Sequence, residues 1–228
     1  MDRCSNAAAV AKYNSSGSLY EYVGGLAGKA TEVLELSDCS NSGAVSGSGY
    51  SYTGGLIGWT EKKVRMQDCG NTSAVSNGEY VGGLIGYASD TAEIRSCSNA
   101  GNIWASSNGC CAGLLARASK NAVIEKSSNK GNVGYYWNST GENSFGGIIG
   151  ECSGTAVITD CTNSGNISAY TMSGCGGIAG RLSKMELRGC RNEGVISSQG
   201  NIAGIVAIGS GNIFNCENYG NVKGFNSF

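Results

Sequence analysis

Two residue types recur in this chain at a spacing that invites a chemical reading: a Cys with an Asn two residues on. The pairs are Cys4/Asn6, Cys39/Asn41, Cys69/Asn71, Cys97/Asn99, Cys161/Asn163, Cys190/Asn192 and Cys216/Asn218, with Ser127/Asn129 keeping the Asn alone. Regular thiols could hold a soft metal, form disulfides or attack an electrophile. Zinc is disfavoured, because the chain has no His and no Cys-x-x-Cys pair. Without His there is also no Ser-His or Cys-His couple for nucleophilic catalysis. The carboxylates Glu21, Glu79 and Glu142 are too scattered in the chain to pair as glycosidase carboxylates do. No Gly-Gly-x-Gly-x-Asp calcium repeat and no stacked Thr-x-Thr ladder is present. The expectation is a chain that is not an enzyme, with no catalytic residue, no metal and no cofactor.

The elements that place these residues form a repeat. A second anchor, GGLIG-like, begins at Gly24, Gly54, Gly82, Ala112, Gly146, Gly176 and Ala203. From this anchor to the next Cys position the chain advances 15 residues five times, then 14 and 13. From Cys to the next anchor it advances between 13 and 20. One arc is nearly fixed in length and the other takes insertions.

Three short strand signals fit each repeat. Apolar and polar residues alternate before Cys, as in Val64/Met66 and Ala122/Ile124; a β-branched residue stands four positions after Asn; and the GGLIG segment supplies the third. The 228 residues include 38 Gly, no Pro and only 14% charged side chains, which suits a thin, elongated core. Such a unit buries its apolar face only by stacking on its neighbours. The expected fold is all-β, a right-handed parallel β-helix of about seven coils of ~30 residues, three short strands per coil, about 34 Å long at the spacing of paired strands. A propeller fits less well, since its blades need longer repeats. Gly43, Gly101, Gly131, Gly165, Gly194 and Gly220 mark a corner expected to need positive φ. Residues 1–228 read as one solenoid domain, a piece of a longer chain with no signal-peptide pattern at its start.

Stacking gives the Asn and Cys columns a structural reading. Identical amides one rung apart donate and accept along the stack, so Asn6, Asn41, Asn71, Asn99, Asn129, Asn163, Asn192 and Asn218 form a ladder. Cys39, Cys69, Cys97, Cys161, Cys190 and Cys216 point the same way, and parallel Cβ vectors miss the ~3.8 Å separation a disulfide wants. A buried thiol ladder is expected. Cys110, Cys111, Cys152 and Cys175 lie off the column, with Cys110 and Cys152 expected to be exposed.

What remains is the variable arc, which holds nine of the eleven Tyr. Tyr22, Tyr52 and Tyr80 each stand two positions before the anchor and should stack; Tyr20 and Tyr50 form a second short column. Trp104 and the insertion GYYWNSTGENS, with Tyr135, Tyr136 and Trp137, complete a candidate ligand-binding edge. The other reading is that Tyr simply favours strands.

The segments GGLAG, GGLIG, GGIIG and GGIAG, each followed by text such as DCSNSGAV or DCTNSGNI, resemble the GLUG-motif repeats. That resemblance implies an extracellular or cell-surface bacterial β-solenoid, adhesin-like, and implies no catalytic residue. The function expected is an adhesin-like segment binding glycan or a surface protein, the alternatives being a passive stalk and, less well supported, a polysaccharide-active enzyme. A net charge of −1 with no basic run argues against nucleic acid, and no apolar stretch approaches the ~20 residues of a membrane span. Phe225 and Phe228 are candidates to cover the last rung. Uncapped rungs would allow end-to-end self-association.

Overall fold

The structure is a computed structural model that describes residues 1–12, 21–106, 109–135, 143–169 and 174–224, and of Tyr135 the backbone alone. Among these residues there is no helix, and the strands stack in parallel into four sheets of eight, eleven, eight and seven strands. The chain is a parallel β-solenoid.

Each sheet is one arc of the coil repeated. The Asn sheet runs from Ser5–Asn6 to Glu217–Asn218, eight strands with Asn opposite Asn at every step. The Val sheet follows, from Val10–Ala11 to Val222–Gly224, with β-branched residues in register. The Tyr sheet runs from Glu21–Gly24 to Asn201–Ala203. The long sheet has two arms in the early coils, such as Ile57–Thr60 and Val64–Gln67, which fuse later into Ile149–Thr159, Ala179–Arg188 and Val206–Phe214. The GGLIG segment therefore serves two sheets, closing the Tyr sheet and opening the long one. An early coil carries five short segments where three were expected.

The arc of fixed length is the long sheet. An extra residue there would slip one arm by one position and turn its apolar side chains outward. The 14- and 13-residue arcs of the last coils fit because the register shifts between Cys152 and Thr155 and again between Leu182 and Met185. Insertions open only between the Val and Tyr sheets.

The interior is two apolar columns. One lies within the long sheet and includes Leu56, Ile57, Val64, Met66 and the column cysteines. The other lies between the Val and Tyr sheets and includes Val75, Val81, Ile103, Cys111 and Phe145. The Asn side chains meet the second Gly of each anchor between them: a Cβ on Gly83 would stand 2.6 Å from Asn99 Cγ, and one on Gly147 2.2 Å from Asn163 Cγ. An amide thus fits where only hydrogen faces it.

The glycine corner corrects one expectation. Gly43, Gly101, Gly131, Gly165, Gly194 and Gly220 do not adopt positive φ. They are glycine because the rung before them is too close: a Cβ on Gly101 would lie 1.8 Å from the Ser73 carbonyl oxygen. Positive φ occurs instead immediately before each Cys position, at Arg3, Asp38, Asp68, Ser96, Lys126, Asp160, Gly189 and Asn215. That corner returns the chain from the long sheet to the Asn sheet. Asp and Asn tolerate the left-handed region best, and four of the eight positions carry them.

Candidate functional site

The Asn column uses up its own chemistry. Each Nδ2 donates to the Oδ1 of the Asn one coil on, from Asn6 to Asn41 through Asn192 to Asn218, at 2.7–2.8 Å. Its second hydrogen goes to the carbonyl two residues along, as from Asn99 to Gly101 at 2.8 Å. With the inner six amides buried and their donors spent, they have nothing left for a metal or substrate. A second amide ladder escaped the sequence reading. On the outer surface Asn102, Asn132 and Asn166 accept the backbone N–H groups of Asn132, Asn166 and Val195 at 2.9–3.0 Å. The repeated Gly-Asn dipeptide was its signal.

All eleven cysteines are free thiols. In the column each Sγ donates to the carbonyl two residues earlier, at 3.1 Å for Cys97 and 3.2 Å for Cys39 and Cys69. Ser127 makes the same bond at 2.8 Å, which explains how Ser replaces Cys there. Among the described residues, no group of three or more His, Cys, Asp or Glu is placed to hold a metal. The expected exposure of Cys110 and Cys152 is corrected, since both are buried. Cys152 enters the apolar column because residues 149–159 form one continuous strand, and Cys110 lies under Arg117 and Glu151. Cys111 and Cys175 sit in the second apolar column, where burial pushes the Cys175 thiol up to about 12.

The aromatic edge is denser than expected. Tyr22, Tyr52 and Tyr80 align on successive rungs as expected, but their rings do not stack: Tyr22 and Tyr52 meet tilted at 59° and Tyr52 and Tyr80 edge-on at 69°. Beside them runs a second column, Lys29, Trp59, Tyr87, Arg117, Glu151 and Arg181, supplied by the first arm of the long sheet. The two columns interlock. Tyr22 stacks on Trp59 with centroids 5.0 Å apart, and Tyr52 on Tyr87 at 5.1 Å. Lys29 Nζ stands 4.5 Å from the Trp59 centroid, and the Arg117 guanidinium 5.5 Å from that of Tyr80.

Hydrogen bonds tie the edge to its own coils. Trp59 Nε1 donates to Ser89 Oγ at 2.7 Å, and Tyr87 Oη bonds Ser119 Oγ. Arg117 donates to Tyr80 Oη at 2.9 Å and pairs with Glu151 at 3.4 Å, while the Cys110 thiol donates to Glu151 at 3.3 Å. Tyr80 is only 9% exposed, and burial pushes its phenol up. Tyr22, Tyr52, Trp59 and Tyr87 keep partly open rings.

The other candidates separate. Tyr50 is 66% exposed. Trp104 is half-buried with its ring over Gly134, where a Cβ would lie 2.1 Å from ring carbon Cζ3. Tyr20, Tyr136, Trp137, Phe225, Phe228 and the side chain of Tyr135 lie outside the described residues. Trp59, Tyr87, Arg117 and Glu151 escaped the sequence reading because they belong to the fixed arc, where a polar or aromatic residue among aliphatics reads as incidental.

Residues 77–103, one full turn from the variable arc through the Cys-x-Asn corner to the Val sheet, match the family model of the GLUG motif. No curated protein and no solved structure matches the chain. The chain is a β-solenoid that carries the GLUG motif.

Proposed function

We propose that this chain is a non-catalytic, adhesin-like segment of a bacterial surface or secreted protein, a stiff rod that engages glycan along its variable arc. The carrying observation is the division of labour within the coil. The nearly fixed arc is one continuous eleven-stranded sheet, whereas the insertions open beside an aromatic edge. Half-exposed rings of Tyr22, Tyr52, Trp59 and Tyr87 offer rigid apolar area to the C–H faces of sugars, and Lys29 and Arg117 stand at the two ends of the cluster. Loops on a rigid scaffold are where recognition concentrates.

A glycan array screened with the wild type and with Tyr52→Ala/Tyr87→Ala, its fold checked by circular dichroism, tests this. A hit that the variant loses supports the reading; a blank array for the wild type refutes it. One observation favours a second reading, a passive spacer. The rings stack on each other and Trp59, Tyr80 and Tyr87 satisfy their polar tips within the chain, as a clamp between coils would require. A spacer gives the blank array.

A further inference from the structure

The variable arc also holds a polar cleft that the aromatic edge does not use. Where successive coils leave the Val sheet, Lys12, Ser46, Ser48, Asn77 and Ser106 line a depression of about 440 Å³. That lies at the low end of the ~300–1,000 Å³ typical of small-ligand sites, room for one or two sugar rings.

The cleft's side chains have spare bonding capacity of both kinds. Ser46 Oγ accepts from Asn77 Nδ2 at 3.0 Å, and Ser106 Oγ accepts from the Gly78 N–H at 3.2 Å. Among the described residues neither hydroxyl donates, so two O–H donors remain. Asn77 gives its Nδ2 to Ser46, while its Oδ1 accepts nothing among the described residues. Lys12 Nζ, 3.3 Å from Glu21, has further hydrogens to give. The Lys12 ammonium offsets the Glu21 charge at the rim, and Ser48 Oγ donates to the same carboxylate at 2.8 Å. Next to Gly49 in the lining, Tyr50 extends a ring into solvent that nothing in the described structure covers.

Spare donors beside a spare acceptor suit a ligand whose every hydroxyl both donates and accepts. The balanced Lys12–Glu21 pair favours a neutral ligand over an acidic one. Asn77 is held for this role by its backbone: φ is +60°, and its carbonyl accepts from Ser51 Oγ and Thr53 Oγ1. We infer that this cleft is a binding site for a neutral mono- or disaccharide unit, with Tyr50 as the platform at its rim. The inference rests on the glycan reading above and places its recognition site.

The test is saturation-transfer NMR and calorimetry on the whole chain with a panel of neutral and acidic mono- and disaccharides. Wild type is compared with Ser46→Ala/Ser106→Ala, with Asn77→Gly, which keeps the left-handed backbone, and with Tyr50→Ala. Neutral sugars should bind, and each cleft variant should lose about tenfold in affinity, the scale of one or two hydrogen bonds. Sugar binding that survives the cleft variants but fails in Tyr52→Ala/Tyr87→Ala overturns the cleft and leaves the glycan reading standing. Preference for acidic sugars overturns the neutral assignment. A wild type that binds no sugar at millimolar concentration overturns the cleft and the glycan reading together.

Discussion

Replacing Asn99 with Ala removes one step of a buried ladder, and its cost can be worked from the bonds it makes. Asn99 Nδ2 donates to Gly101 O and Asn129 Oδ1, and Asn99 Oδ1 accepts from Asn71 Nδ2 and the Gly101 N–H. After substitution Asn71 still reaches Ser73 O and Asn129 still accepts from Gly131 N–H. The Gly101 N–H and C=O lose the partners shown for them in a coil interior where Asn99 is fully buried. Each buried group left unpaired costs about 1–3 kcal/mol, so the loss should be about 4 kcal/mol. With a urea m-value near 3 kcal/mol/M, the midpoint falls by about 1.3 M, read by fluorescence of Trp59 and Trp104. The same change at half-buried Asn6, where water can replace the lost partners, should cost under about 1 kcal/mol. An Asn99→Ala loss no larger than that of Asn6→Ala would refute the claim that ladder satisfaction holds the coils.

Three further expectations follow from the same geometry. Gly101→Ala drives a Cβ to 1.8 Å from the Ser73 carbonyl oxygen and should cost about 3 kcal/mol or prevent folding, whereas Gly70→Ala, whose nearest neighbour is 3.4 Å away, should be neutral or stabilise by up to about 1 kcal/mol; equal effects in urea melts would contradict the close-approach account. Alkylation of the native chain followed by mass spectrometry should label Cys4 and Cys216 first; the adjacent Cys97 thiol pulls the Cys69 thiol below its ordinary value, yet Cys69 is 2% exposed, so early labelling there would show that access does not govern reactivity. The Lys63 ammonium beside Glu93 holds that carboxyl below the usual carboxylate range, so its contribution is complete above about pH 4.3 and is lost as pH falls through the native value; Glu93→Gln should remove that slope, at under about 1 kcal/mol, and an unchanged acid limb in the urea midpoint would count against the pair.

Much of this molecule is written in its spacing. The Asn column, the Cys column, the register of Tyr22, Tyr52 and Tyr80 and the solenoid itself were legible because a repeat places each residue on its own copy, so period alone gives the neighbour. The thiol column was legible for the same reason, since parallel copies share one direction. What lies within a single coil was not legible. The contact between Asn99 and Gly83, the pairing of Tyr52 with Tyr87 and the junction of Cys110 with Arg117 and Glu151 depend on how the coil bends, which the repeat length does not encode. Backbone signs fared likewise: glycine in the corner at Gly101 answers to a carbonyl one rung away, while the positive φ sits before Cys, at residues such as Asp38 and Lys126 whose types allow many conformations. The cleft at Lys12, Ser46, Asn77 and Ser106 is the extreme case, made by four successive coils from residues that individually read as loop. Sequence by itself determined what stacks along the axis, because translation by one rung is fixed by strand pairing. Only the tertiary structure decided what meets across the axis, because that depends on the angles of corners set by side chains packing against one another.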